Sequence, residues 1–118
     1  MSVLAVTSDL LWLGKIRAAA GKLGLEVRVP QTKPQVTEFL LDDATKLVLV
    51  DLEHARFDFV ETIRLVKGTR WEVRMVCFGH HTDAAKLAKA RDTGAKEVLP
   101  NSEFDRRLPE LLASVSPH

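Results

Sequence analysis

The sequence predicts an α/β domain in which one five-stranded parallel sheet is covered by helices on both faces. Five short apolar runs alternate with five amphipathic stretches along the 118 residues, the pattern of repeated strand–helix units. The central run, residues 47–50, is apolar at every position and flanked by charge, as expected for a strand buried on both faces. Glycine or proline separates many of the runs.

The first strand–helix unit begins close to the amino terminus. Residues 3–6 form an apolar strand, and Ser8 or Asp9 is placed to cap the following helix. Gly24 predicts the end of that helix. The side chains expected on its buried stripe are Leu13, Ile16, Ala20 and Leu23.

The second unit has the features of a sheet edge. Residues 25–29 alternate between apolar and charged side chains, which indicates a strand with one wetter face, and Pro30 closes it. Pro34 suits the first turn of a second helix. The third strand, residues 47–50, follows.

The third and fourth helices are bounded by glycines. A helix after the third strand is predicted to end at Gly68, and a fourth strand covers residues 73–78. The fourth helix is expected to be capped at Thr82 and to stop at Gly94.

The last unit is short. Residues 97–99 form the fifth strand, and Pro109 places the regular part of the last helix from about Leu108 onward. Residues 116–118 are expected to fray. The whole chain, 1–118, is predicted to be a single domain with the flavodoxin-like, doubly wound, three-layer α/β/α layout and strand order 2-1-3-4-5.

In this layout, ligands bind at the carboxyl ends of the strands. This edge of the sheet, called the rim below, carries most of the candidate site residues. Its polar segments are Thr7-Ser8-Asp9, Asp51-Leu52-Glu53-His54, Gly79-His80-His81 and Pro100-Asn101-Ser102.

Composition excludes several classes of function. The formal charge is +1 without a concentrated basic patch, which argues against a nucleic-acid partner. No apolar run approaches the roughly 20 residues that span a bilayer, and no secretory signal begins the sequence. The one cysteine, Cys77, lies in an apolar run and is expected to be buried. We therefore expect a cytoplasmic protein without a membrane span.

Two stretches of the sequence resemble the receiver domain of bacterial response regulators. They are LVLVDLEH, residues 47–54, and DTGAKEVLP, residues 92–100. Counted through these stretches, Asp51 falls on the phosphoacceptor position and Asp58 on the acidic residue of the following loop. The resemblance covers essentially the whole chain. It implies a CheY-like domain that takes part in two-component signalling and is not an enzyme.

The loop after the first strand departs from the receiver pattern. Receivers hold Mg²⁺ with an acidic pair at this point, whereas this chain has Thr7 and Ser8, with Asp9 one position later. Hydroxyl groups replace anionic ligands on which Mg²⁺ ordinarily relies.

Two further departures affect the phosphoryl group itself. Receivers place a switch Ser or Thr after the fourth strand, where this chain has Gly79, and a Lys before a Pro after the fifth, where Asn101 follows Pro100. Phosphoryl transfer depends on cations that neutralise the transferred group. The sequence therefore predicts a pseudo-receiver: a regulatory protein-interaction module with no catalytic residue, no cofactor and an Asp51 that stays unmodified.

Other interpretations remain open. Asp51 is also consistent with a strand-terminal acid that accepts backbone hydrogen bonds. A second interpretation is a genuine single-domain response regulator, phosphorylated on Asp51 by a histidine kinase, with Asp9 and Asp51 as candidate Mg²⁺ ligands. A third is a small ligand or a transition metal bound at the rim. The metal candidates are Asp51, Glu53, His54, His80 and His81.

The partner is predicted to be another protein or a second copy of the chain. Receivers dock through the face formed by the fourth helix, the fifth strand and the fifth helix, and the resemblance carries this face to the present chain. Its charges are of both signs, as suits self-association. They are Lys86, Lys89, Arg91, Glu103, Asp105 and Glu110.

Overall fold

A computed structural model describes residues 1–116, within which five strands form one parallel sheet and five helices flank it. The strand order is β2-β1-β3-β4-β5, which confirms the predicted fold class. The strands are β1 Ser2–Val6, β2 Glu26–Arg28, β3 Thr45–Asp51, β4 Arg74–Gly79 and β5 Glu97–Pro100. The helices are α1 Leu10–Gly21, α2 Lys33–Leu40, α3 Phe59–Thr69, α4 Ala84–Thr93 and α5 Asn101–Ala113. Of the residues predicted to fray, 117 and 118 lie outside the described part.

Alternate residues of the central strands contribute to two separate cores. On one face of the sheet, Leu4 and Val48 pack with residues of α2, α3 and α4. On the other face, Val3 and Leu47 pack with residues of α1 and α5. Because both faces are covered, β1 and β3 are buried at nearly every position, whereas the edge strand β2 is only partly buried. The predicted edge position of β2 is confirmed.

Acidic and hydroxyl side chains begin four of the helices. Asp9, Thr32, Asp58 and Asp83 each accept a hydrogen bond from a backbone N–H in the first turn. Such a cap contributes about 1 kcal/mol to stability. The sequence predicts either Ser8 or Asp9 as the cap of α1, and in the structure the cap is Asp9. The predicted cap of α4 at Thr82 is wrong by one residue, since Asp83 is the cap and its carboxylate accepts a hydrogen bond from the N–H of Lys86.

Three predicted helix boundaries are also wrong. Helix α1 ends at Gly21, and Gly24, with φ of 69°, lies in the turn that follows. Helix α3 continues through Gly68 to Thr69, and α5 is continuous through Pro109. Pro109 lacks a backbone N–H, which costs about 3 kcal/mol in a helix interior. Burial contributes roughly 1.5–3 kcal/mol for each large apolar side chain, so the buried stripe of α5 outweighs that cost. The stripe is Phe104, Leu108, Leu111 and Leu112.

Residues 1–116 contain no helix that is both long enough and apolar enough to cross a membrane. The predicted burial of Cys77 is confirmed: the side chain is fully buried in β4, and burial raises the pKa of its thiol to about 12. It is therefore a packing residue rather than a reactive thiol.

Candidate functional site

Asp51 is the last residue of β3 and lies in the centre of the rim, only 4% exposed. Its Oδ2 accepts a hydrogen bond of 2.6 Å from the hydroxyl of Thr7, and its Oδ1 accepts one of 2.9 Å from the backbone N–H of Glu53. Burial raises the pKa of the Asp51 carboxyl. The two hydrogen bonds lower this pKa, while the negative charges of Asp9 and Glu53 raise it further.

The loop between β1 and α1 uses its polar side chains within the chain. The Asp9 Oδ1 accepts hydrogen bonds from the N–H groups of Leu11 at 2.8 Å and Trp12 at 3.4 Å, so this carboxylate caps α1. The Thr7 hydroxyl accepts from the N–H of Asp9 at 3.1 Å while it donates to Asp51. The Ser8 hydroxyl accepts from the N–H of Ala55 at 3.0 Å, which ties this loop to the β3–α3 loop.

Lys86 lies in the first turn of α4 and pairs with Glu53 rather than with Asp51. Its Nζ lies 2.9 Å from each carboxylate oxygen of Glu53 and 3.7 Å from the Oδ2 of Asp83. The hydrogen bond to Glu53 is the main cause of the raised pKa of the Lys86 ammonium. The sequence placed this residue on the docking face, but its side chain extends to the rim. This contact was missed because Glu53 and Lys86 are 33 residues apart in sequence.

The histidines of the rim do not converge. His54 Nδ1 accepts hydrogen bonds from the N–H groups of Arg56 at 3.0 Å and Phe57 at 3.1 Å, and the imidazole stacks on the Phe57 ring with 4.4 Å between centroids. Burial is the main cause that lowers the pKa of His54. His80 faces Asn101, with 3.2 Å between Nδ1 and the amide Nδ2. His81 is exposed.

The part of the chain that the structure describes holds no group of three or more His, Cys, Asp or Glu side chains that could bind a metal ion. The described residues therefore do not bring the candidate ligands of a transition-metal site at the rim together. Its candidate ligands are engaged elsewhere: Glu53 by Lys86, His54 by backbone amides and His80 by Asn101. Asp9 and Asp51 remain two acids without a third protein ligand.

The fold of the chain matches solved structures, although sequence comparison alone finds nothing. No family model matches the chain, and the comparison with curated proteins gives no match. A response regulator from Thermotoga maritima superposes with a TM-score of 0.74 at 16% identity, over 99% of this chain and 98% of that chain. A receiver domain from Clostridium thermocellum gives 0.77 at 16% identity, over 97% and 92%. The chain has the fold of response regulator receiver domains.

A third solved structure shows the same likeness of fold. The BeF3-activated DrrB receiver domain superposes with a TM-score of 0.74 at 21% identity, over 97% of this chain and 95% of that chain. The predicted resemblance to CheY-like domains is thus confirmed for the fold. The likeness is one of fold, and the rim of this chain carries its own set of side chains.

Two groups that the resemblance implies, a switch hydroxyl after β4 and a lysine beside Pro100, are absent from this chain. A β-carbon added to Gly79 would lie 3.2 Å from Cδ1 and 3.3 Å from Cβ of Leu52, so a hydroxyl-bearing side chain fits there only if Leu52 moves. Leu99, which precedes Pro100, is 7% exposed in the core beneath α1 and α5 and supplies no ammonium. Asn101 offers a neutral amide instead.

Proposed function

We propose that the protein is a pseudo-receiver: a regulatory module that binds another protein and does so without phosphorylation of Asp51. The observation that carries this proposal is the environment of the Asp51 carboxylate. A threonine hydroxyl at 2.6 Å and a backbone N–H at 2.9 Å are its partners, and within residues 1–116 no lysine or arginine pairs with it. We infer that the module works in the cytoplasm without a cofactor and without catalytic turnover.

Electrostatics is the reason that this environment disfavours phosphorylation. A phosphoryl group brings up to two negative charges to a site where Asp9 and Glu53 already oppose the ionisation of Asp51. A cation about 4 Å away is worth about 4 kcal/mol in a partly wet site. The candidate cation, Lys86, is held by Glu53 and Asp83, so freeing it sacrifices those pairs.

The test is an intact-protein mass measurement after incubation with acetyl phosphate and Mg²⁺. We expect the mass of the protein to stay unchanged, while a phosphorylatable receiver treated in the same tube gains one phosphoryl group. Asp51→Asn serves as the matched control. A hydroxylamine-labile gain of one phosphoryl group that disappears in Asp51→Asn would overturn the proposal.

One observation favours the alternative of a genuine single-domain response regulator that is phosphorylated by a histidine kinase. Asp9 is near enough to Asp51 for its charge to raise the Asp51 pKa, so two carboxylates share one end of the sheet. Mg²⁺ keeps several of its waters and is commonly held by one or two carboxylates. Calorimetric titration with Mg²⁺ distinguishes the two. Binding by the wild type that is lost in both Asp9→Asn and Asp51→Asn supports this alternative, whereas no heat of binding in the wild type supports the pseudo-receiver.

The proposed docking face consists of α4, β5 and α5, whose charges are partly engaged within the chain. Asp105 pairs with Lys15 of α1 at 3.2 Å, and Arg91 donates to the carbonyl of Val98 at 3.1 Å. Lys89 is exposed on α4, and no ion pair to it occurs in the described residues.

Sedimentation of Lys89→Glu tests this face if the protein self-associates. We expect the charge reversal to weaken the association, and Lys22→Glu, an exposed change after α1, to leave it unaltered. Equal sedimentation of both variants and the wild-type dimer would exclude Lys89 from the interface.

A further inference from the structure

A cavity of about 340 Å³ opens at the edge of the sheet opposite the rim. Its walls come from the end of α3, the α3–β4 loop, the start of β4 and the α4–β5 loop. These are the amino ends of the strands, so the cavity is separate from Asp51 and its neighbours. Its volume lies at the small end of the range for ligand sites, about 300–1,000 Å³.

The cavity has an apolar floor and an aromatic wall. Val66, Val73 and Met75 line it and are at most 9% exposed. Trp71 also lines it, but this indole is 79% exposed. By contrast Trp12 packs edge-on against Phe78 and Phe104, with centroid separations of 5.1 and 5.2 Å. A solvated indole beside a concave apolar surface offers a flat face for a ring.

The charges that line the cavity leave two cations without partners. Glu72 pairs with Arg70 at 3.1 Å, and Glu97 pairs with Arg74 at 2.7 Å. Lys67 and Lys96 line the same cavity, and neither forms an ion pair with any residue in the range 1–116. The cavity is therefore net positive at the position of these two lysines.

The walls are held in place by contacts that do not involve a ligand. One amino group of the Arg70 guanidinium donates to the carbonyls of Leu40, Asp42 and Thr45, at 3.1, 3.2 and 2.9 Å. These bonds fix the start of the loop that carries Trp71. A β-carbon at Gly94 would lie 2.9 Å from Cδ of Lys67, so the missing side chain of this glycine leaves room for the Lys67 stem. A prearranged site loses less entropy on binding.

We propose that this cavity binds a small organic anion that carries a planar ring, such as a mononucleotide or an aromatic carboxylate. The ring stacks on the indole of Trp71 above the apolar floor. The anionic group lies between the ammonium groups of Lys67 and Lys96, which form charge-assisted hydrogen bonds with it. This inference does not rest on the proposed function, because no residue of the cavity contacts Asp51, Thr7 or Lys86.

The first experiment is calorimetric titration of the full chain with adenosine monophosphate and, separately, with indole acetate. We expect at least one of these anions to bind, and uncharged adenosine or indole to bind about fivefold or more weakly than its anion. Lys67→Gln and Lys96→Gln should each weaken binding of the anion by about fivefold. Lys22→Gln, which changes an exposed lysine after α1, is the matched control and should leave the affinity unchanged.

Tryptophan fluorescence then locates the ring. The bound ring should quench the emission of the wild type and of Trp12→Phe, but not that of Trp71→Phe. Loss of the indole should weaken the calorimetric affinity about tenfold. If Trp12→Phe does not fold, the comparison of the wild type with Trp71→Phe is sufficient, since Trp71 is exposed and its replacement leaves the core intact.

Three results would overturn the inference. One is the absence of binding for both anions at millimolar concentration. Another is equal affinity for the anions and their uncharged partners. The third is an equal loss of affinity in Lys67→Gln and in the control Lys22→Gln, which would indicate unspecific attraction. Asp51→Asn should retain binding, so failure at this cavity and failure of the pseudo-receiver proposal are distinguishable.

Discussion

The two edges of the sheet differ in how completely the chain satisfies its own polar groups. At the rim, Asp51, Thr7 and Glu53 bond to one another or to Lys86, and the acids outnumber the available cations. At the opposite edge, the acids are neutralised by arginines, Lys67 and Lys96 form no ion pair within residues 1–116, and the indole of Trp71 is exposed.

This difference between the two edges shows that the fold alone does not determine where the chain keeps unpaired polar groups. The receiver fold places its chemistry at the rim, but in this chain the rim groups are already used in internal contacts. The opposite edge has no implied role, yet it has an open cavity with unpaired charge. A shared fold thus sets where a site lies, while the side chains at that place decide its chemistry.

The largest effect is expected from a change that disrupts the amino-end edge alone. Arg70→Ala removes the donor shared by the carbonyls of Leu40, Asp42 and Thr45, and it leaves Glu72 without its partner. We expect a loss of about 3 kcal/mol in the free energy of unfolding, measured by urea denaturation. Arg106→Ala is the control, because that side chain is 72% exposed and the change should cost under about 0.5 kcal/mol. Equal losses in both variants would show that the carbonyl contacts of Arg70 contribute nothing.

Gly94→Ala is expected to have the second largest effect at the same edge. Gly94 ends α4 with φ of 118°, which an L side chain rarely adopts, and its β-carbon would meet the Lys67 stem at 2.9 Å. We expect destabilisation of about 2 kcal/mol by thermal and urea unfolding. Gly14→Ala is the matched control. Gly14 lies within α1, and a β-carbon added there would have no neighbour within 4 Å, so this change should raise the free energy of unfolding by about 0.5–1 kcal/mol. A stabilised Gly94→Ala would contradict the backbone geometry of this turn.

At the rim, Asp51→Asn should increase stability at neutral pH. Burial raises the pKa of this carboxyl above its ordinary 3.8, so the folded state favours the protonated form. The protonated carboxyl therefore stabilises the folded state fully below the ordinary pKa. This stabilisation is lost as the pH rises through the raised pKa of the folded state. The neutral amide avoids this loss, and we expect a gain on the order of 1 kcal/mol at pH 7.

Urea unfolding of Asp51→Asn and the wild type between about pH 3 and pH 8 checks the sign. The advantage of the variant should vanish below the ordinary pKa, where Asp51 is neutral in both states. Asp105→Asn is the control, since that acid is exposed and paired with Lys15, and its change should give no such gain. A less stable Asp51→Asn at neutral pH would mean that the ionised carboxylate is stabilised at the rim.

The sequence predicted the fold and the location of the rim, because both follow from local patterns. The apolar run before Asp51 identifies β3, and parallel strands then bring their carboxyl ends to one edge. The contact of Lys86 with Glu53 was not predictable in this way, since helical spacing places Lys86 equally well on the outer face of α4. Pro109 misled because a local rule was overridden by the burial of Phe104 and its neighbours.

The cavity was missed for a related reason. Its walls come from residues 66–75 and residues 94–97, and no single stretch shows both. A signal was present in Trp71, which lies between Arg70 and Arg74 in a loop with no apolar periodicity. An aromatic residue among cations in such a loop is a feature worth testing against a structure.

The smallest effect is expected from Lys86→Gln, which leaves the fold and Asp51 in place but removes the ion pair with Glu53. Both side chains are about 30% exposed, so solvent screens the pair and the loss in unfolding free energy should stay below about 1 kcal/mol. Salt should reduce the difference between the variant and the wild type, because ions screen such pairs. Lys89→Gln in the same helix is the control. If Lys86→Gln costs no more than Lys89→Gln, the pair with Glu53 does not immobilise the lysine. In that case Lys86 is free to approach Asp51. The rim would then also hold a cation without a fixed partner, as the opposite edge of the sheet does.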